Sequence, residues 1–293
     1  MNNFYVEIRI YIESKVDKLS TFTYKTYLAH LNKLRIYQPQ MDCSEITEKF
    51  VFGYIDFMRS RGNSSGTIYR SLSILRMFVK ALVRKRKIRR DPMRNIPIKR
   101  TRCRREFLEL DELEWLYSNF QTHAFELNFS EREALRAFLF SCFTGLRYSD
   151  LKNLTSRDMQ NGKIRLFTQK TDALIYIPVP AQALKLVCNT SFCGSVFAND
   201  SGKILHVVNN STFNKNLRSG AKKLGCCRHL HAHLARHTFA TSCVTFGMPV
   251  EIIAKMLGHT DIQTTLIYAN YSNAVIDREM QKFQIDATTN ISK

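Results

Sequence analysis

The 293-residue sequence is poor in glycine and proline, with 11 and 6 residues. That excludes collagen-like, linker-like and low-complexity chains. No apolar run reaches the roughly 18 residues that a membrane-spanning helix needs, so no membrane partner is expected. The opening residues, Met1-Asn2-Asn3-Phe4-Tyr5-Val6-Glu7, lack the basic-then-apolar order of a secretion signal. A cytoplasmic protein is the expectation. The eight cysteines contain no CxxC pair, and free thiols are the expected state. Cys226, Cys227, His229, His231 and His233 crowd together. A zinc site usually draws on two separate ligand clusters, and no second one occurs, so no metal is expected.

Acidic residues are the other shortage. There are 25 Asp/Glu against 44 Lys/Arg, a formal net charge of +19. Such an excess points to a polyanionic partner, most commonly nucleic acid. A basic membrane-surface protein would need an amphipathic lipid-facing helix or a lipidation site, and neither termini shows one. The excess is uneven. Residues 1–105 hold 24 Lys/Arg against 8 Asp/Glu, whereas 106–293 hold 20 against 17. A basic first domain and a nearly neutral second one, with different tasks, are implied.

The first domain, expected over 1–100, reads as helical. Tyr24, Tyr27, Leu28, Leu31 and Leu34 set a helical period over Ser20 to Tyr37. A second helix is expected at about Ile46 to Met58, and a third over Ile68 to Val83, after a turn at Arg61 to Gly66 with a capping serine. From Arg84 to Arg105 twelve Lys/Arg face one acid, Asp91, with Pro92 and Pro97 disfavouring helix. This stretch is expected to run into an interdomain linker, ending near 105, that lies on a phosphate backbone. Its candidate contacts are Arg84, Lys85, Arg86, Lys87, Arg89, Arg90, Arg100 and Arg102.

A second domain is expected over 106–285, with a frayed tail at 286–293. It starts at the acidic helix N-terminus Glu109-Leu110-Asp111-Glu112. Lys163–Thr168 and Ala173–Val179 alternate or run β-branched around Gln169-Lys170-Thr171-Asp172, which predicts a β-hairpin with a lysine at its turn. Beyond 210 the chain reads as helical to about Gln284. The fold class is mainly α with a small β-hairpin or sheet.

The second half carries an ordered set of polar residues: Arg147, His233, Arg236, His259 and Tyr268. Singly, each has a structural explanation such as a surface ion pair or a satisfied core hydroxyl. Together they resemble the tyrosine recombinases, the phage-integrase-like DNA recombinases, and the likeness runs along nearly the whole chain. Thr144-Gly145-Leu146-Arg147-Tyr148-Ser149-Asp150-Leu151 is similar to the family's first arginine motif. His233-Leu234-Ala235-Arg236-His237-Thr238 matches its His-x-x-Arg box, and Leu257-Gly258-His259 through Tyr268 matches its last box. The hairpin lysine falls on Lys170, with Lys163 as competitor.

The resemblance implies a helical core-binding domain and a catalytic domain that clamp duplex DNA. The implied chemistry is strand cleavage by Tyr268 to a 3′-phosphotyrosyl bond and a free 5′ hydroxyl, without metal, ATP or other cofactor. No G-x-x-x-x-G-K-[ST] phosphate loop is present, in keeping with this. Arg147 and Arg236 would hold the nonbridging oxygens, where fixed guanidiniums suit the developing charge. His259 would donate to the same phosphate. His233 would act as base or orienting group, and Lys170, on a mobile hairpin, as acid. Asp150 would support the site, and His237 would pack or hydrogen-bond beneath Arg236. Tyr271 is the rival nucleophile. The implied partners are specific DNA sites, a homotetramer on two duplexes, and an accessory bending or directionality protein. The layout is closer to Xer-like and simple transposon recombinases than to those with an arm-binding domain. Ile276, Met280 and Phe283 are expected to dock on a neighbouring protomer or on their own domain.

Two other readings stand beside this one. Thr241 to Thr265, with Gly247 in a turn, reads as a helix-turn-helix of a non-catalytic DNA-binding protein. A type IB topoisomerase shares the chemistry but not this order of residues.

Overall fold

The computed structural model describes residues 3–98, 106–188 and 202–269, except for the side chains of Cys188 and Ala269. The chain divides into two compact units, Met1–Arg104 and Arg105–Lys293.

The first unit is built from α1 (Phe4–Glu13), α2 (Thr21–Tyr37), α3 (Glu48–Ser60) and α4 (Ser65–Arg84). Each begins at a side-chain cap. Asn3, Ser20, Thr47 and Ser64 accept hydrogen bonds from backbone N–H groups two or three residues on, which satisfies donors that a helix start leaves open. The α1 helix is an addition to the sequence reading. Its signal is Phe4, Tyr5, Ile8 and Ile12, all buried, at helical spacing behind the Asn3 cap. The core joins these to Leu34, Val51, Tyr54, Leu75 and Phe78.

The basic stretch after α4 is folded onto this unit. Met93 and Ile96 are buried in its core. Arg76 Nη2 donates to the carbonyls of Met93 (2.9 Å) and Ile96 (2.6 Å). A connector running from Arg84 is therefore shortened: residues up to 98 pack as part of the first unit. The buried apolar side chains among the charges hold it there.

His30 gives this unit a pH-sensitive element. Its ring is buried, with Ser71 Oγ 3.2 Å from Nδ1. Burial, then Lys33 and Arg70, pushes its pKa down to about 4. Below the unfolded value of about 6.5, the unfolded chain takes up a proton that the folded chain refuses. Stability is thus complete above that value and falls as pH drops from 6.5 to 4, by about 3 kcal/mol from this group. Urea denaturation followed by circular dichroism across this range should show that extra loss in the wild type relative to His30→Gln. Parallel curves would remove His30 as the cause.

In the second unit α5 (Leu110–His123) leads to α6 (Phe129–Thr144), a helix buried along most of its length. It packs against α9 (Asn210–Lys223), α10 (Ala232–Thr245) and α8 (Ala181–Cys188). Between α7 (Tyr148–Asn153) and α8 lies an antiparallel sheet of β1 (Met159–Gln160), β2 (Lys163–Phe167) and β3 (Leu174–Pro178). Lys163 pairs with Pro178 and Phe167 with Leu174. Ile164, Ile175 and Ile177 face the core, while Lys163, Arg165, Phe167, Leu174 and Tyr176 are exposed, as strand alternation requires. A second, smaller cluster joins α10 to α11 (Val250–Leu257) and α12 (Gln263–Ala269), with Phe239, Ile253, Leu257 and Tyr268 buried together. Gly247 in the left-handed region separates α10 from α11, so the helix pair expected there forms. No described helix is long and apolar enough to cross a membrane.

Candidate active site

Two helix ends lay the floor of the site. Gly145 ends α6 at φ +68° and Gly258 ends α11 at φ +62°. Such caps favour glycine because a side chain is strained there. The last turns of α6 and α11 leave carbonyls without helical partners, and guanidinium groups take them up. Arg236, on α10, donates from Nη1 to the Gly145 carbonyl (2.8 Å) and from Nη2 to that of Leu257 (2.6 Å). Arg147, at the start of α7, donates from Nη2 to Gly258 at 3.4 Å. Each cation thus sits at the partial negative charge of a helix C-terminus.

Arg236 is 3% exposed. Burial, then repulsion from Arg147, pushes its pKa down to about 9, with Tyr268 and Asp150 acting the other way. Burial also lowers the Arg147 pKa, again opposed by Asp150 and Tyr268. Two cations and a phenol therefore share one pocket. Arg147 Nη1 is buried without a hydrogen-bond partner among the described residues, and so is Asp150 Oδ2. An anion with several acceptor oxygens suits this pair of crowded guanidiniums.

His259 follows the α11 cap. Its Nε2 lies 2.9 Å from Arg236 Nη2, and its Nδ1 2.7 Å from Thr265 Oγ1. A guanidinium only donates, so Nε2 accepts. In a neutral ring Nδ1 then carries the hydrogen and donates to Thr265. One turn further along α12 lies Tyr268, 3% exposed, with its hydroxyl 2.7 Å from His237 Nδ1. His233 is exposed one turn before His237 on α10, and the two rings meet edge to face at 4.6 Å.

Lys170 is exposed in the β2–β3 turn. The turn is tied on both sides of it. Asp150 Oδ1 accepts from the Gln169 backbone N–H (3.0 Å), and Thr171 Oγ1 donates to the Gly258 carbonyl (3.2 Å). The turn, expected as a mobile hairpin, thus makes contacts with α7 and with the end of α11. Lys163, the competing lysine, lies at the far end of β2, its ammonium 5.9 Å from the Tyr176 ring centre.

The structure therefore gathers Arg147, Arg236, His259 and Tyr268, with Lys170 on the adjoining turn. His237 binds the phenol, a partner that differs from the Arg236 support expected of it. Thr265 and Thr171 stand within the sequence motifs but carry no role there, because those roles depend on contacts across the fold. Among the candidate DNA contacts, Arg84, Lys85, Arg86, Arg89 and Arg90 are exposed in the first unit. Lys87 is half-buried and pairs with Glu7 at 2.9 Å. Arg100, Arg102, Tyr271, Ile276, Met280 and Phe283 lie outside the described residues. In the Cys/His cluster, His231 caps α10 through Nδ1, and His229 Nε2 accepts from Arg218 at 3.0 Å.

The phage integrase family model matches residues 106–274, and the phage integrase SAM-like domain matches residues 3–99. Tyrosine recombinase XerD of Halalkalibacterium halodurans is 29% identical over 77% of this chain and 77% of its own. The Tn1549 transposon integrase in complex with circular intermediate DNA shares the fold, with a TM-score of 0.75 at 16% identity, over 97% of this chain and 100% of that one. So does a lambda integrase tetramer bound to a Holliday junction, with a TM-score of 0.69 at 16% identity, over 88% of this chain and 78% of that one. The likeness found in three short motifs thus extends through both units, and the chain belongs to the phage integrase family.

Proposed function

We propose that this protein is a site-specific DNA recombinase that cuts and rejoins strands through a 3′-phosphotyrosyl intermediate. The observation that carries the reading is the burial of the Tyr268 phenol in one pocket with the guanidiniums of Arg147 and Arg236, near enough that a phenolate there would hold both arginines in their charged form. In cleavage Tyr268 Oη attacks phosphorus, and the P–O5′ bond breaks. Arg147 Nη1 and the Arg236 N–H groups hold the nonbridging oxygens as their charge grows. Lys170 gives its proton to the leaving 5′ oxygen. His259 donates to the phosphate through Nε2 in the neutral tautomer whose Nδ1 accepts from the Thr265 hydroxyl, and the Arg236 N–H that faced Nε2 is released to the phosphate. His233 stands beside His237 as an orienting group.

The phosphotyrosyl ester keeps the energy of the broken bond, so a second 5′ hydroxyl can reverse the step without ATP. The guanidiniums supply the positive charge that a metal would otherwise bring. The working form is a homotetramer on two duplexes, as in the lambda integrase tetramer on its Holliday junction. The exposed arginines and lysines of 84–90 contact phosphates, and the site of action is cytoplasmic DNA.

The test is covalent capture. Nicked duplexes with a random-sequence core and a 5′-bridging phosphorothiolate are incubated with the protein, and denaturant-resistant adducts are recovered. The wild type should yield adducts of a shared sequence, and Tyr268→Phe none. Adducts that persist in Tyr268→Phe would move the nucleophile elsewhere. Tight DNA binding without adducts would favour a binding-only protein.

A further inference from the structure

Attack by Tyr268 raises a question of proton flow. A phenol has a reference pKa near 10, so at neutral pH it must lose its proton as it attacks. The box spacing directs attention to His233. In the structure the hydrogen bond to the hydroxyl belongs to His237, at 2.7 Å from Nδ1, well inside the range required of a general base. Both groups are buried, which keeps bulk water from substituting for the base.

We infer that His237 is a catalytic residue, the base that receives the Tyr268 proton in cleavage and returns it in rejoining. This rests on the recombinase reading above. In the tautomer with hydrogen on Nε2, His237 Nδ1 accepts from Tyr268 Oη. As the phenolic oxygen bonds to phosphorus, its proton passes to Nδ1 and the P–O5′ bond breaks, Lys170 protonating the 5′ oxygen. In the reverse step the 5′ hydroxyl attacks, the P–O bond to Tyr268 breaks, and the imidazolium returns the proton to the phenolate. His233 packs edge-on against the ring at 4.6 Å and fixes its orientation. The titratable groups that face His237 include His233 on its own helix and Tyr268 on α12, with Arg147 and Arg236 beyond the phenol. The phosphate charge drawn to these arginines offsets the imidazolium.

The experiment uses the full chain and the duplex recovered by covalent capture, with its 5′-bridging phosphorothiolate. A thiolate leaves without a proton, so single-turnover adduct formation then reports deprotonation of the nucleophile alone. His237→Asn keeps an acceptor near Nδ1 but takes no proton. It should slow adduct formation by about 10²-fold at pH 7, with a rate that climbs about tenfold per pH unit. His237→Gln should behave likewise, and neither should change DNA affinity. The wild-type profile, which needs no variant to fold, should level off by about pH 8. Three results would overturn the inference: variants within about threefold of wild type, variants slowed with the wild-type pH profile, or a wild-type rate still climbing tenfold per unit toward pH 9.5. If the wild type captures no DNA, or Tyr268→Phe still does, the recombinase reading fails and the inference falls with it.

Discussion

Arg236→Lys should slow single-turnover strand cleavage by about 10³-fold while changing DNA affinity by less than about tenfold. The size follows from geometry. Arg236 spends three of its five N–H groups on the Gly145 and Leu257 carbonyls and His259, which leaves two for a phosphate. Lysine has three donors on one atom and cannot span these partners while also facing a phosphate. Two buried carbonyls at helix ends lose their donors, and the nonbridging oxygens lose a fixed one. Affinity survives because many phosphate contacts share it. Quench-flow cleavage and a mobility-shift titration measure the two quantities. Equal losses in both would mean that Arg236 serves binding alone.

Gly145→Ala should lower the melting temperature by about 5–15 °C, through a loss of about 2–4 kcal/mol. Two costs combine. The residue sits at φ +68°, where a side chain costs about 1 kcal/mol. A Cβ there would also lie 2.4 Å from Phe239 Cδ1 and 2.8 Å from Leu257 Cδ2, both buried. Gly202→Ala, in the same unit, is the control. It shares the backbone strain at φ +70°, but a Cβ there meets nothing within 4 Å, so it should cost only about 1 kcal/mol. Melting followed by circular dichroism decides, and equal shifts in the two variants would refute the packing argument. Because the Gly145 carbonyl holds Arg236, any folded Gly145→Ala protein should also cleave more slowly.

The sequence showed most of this arrangement through periodic and turn signals. The hydrophobic repeats of α2 to α4 and the alternating hairpin strands are local patterns, and the structure follows them closely. The ordered motifs from Arg147 to Tyr268 could be read because each is short and rigidly spaced. What stayed hidden depends on residues far apart in sequence. Gly145 and Gly258 stand in the sequence only as motif positions until Arg147 and Arg236 are seen at the carbonyls of these two helix ends. Thr265 belongs to the last motif, but its value lies in the ring of His259, which spacing alone does not show. The basic stretch after α4 looked like a free connector because charge dominated its composition. Met93 and Ile96, two apolar residues among many charges, decide otherwise once Arg76 is seen to hold their carbonyls.

The ties on either side of Lys170 bear on how fast a recombinase of this design starts its reaction. Asp150 and Thr171 fasten the backbone of the turn when the unit folds. With both contacts kept, meeting DNA should call for no closure of the turn itself. Only the side-chain torsions of the lysine remain to be settled, an ordering of about 2 kcal/mol. Loosening either tie, as in Thr171→Val, makes each encounter begin with a search by the whole turn. That delay would appear as a lag before cleavage rather than as weaker binding.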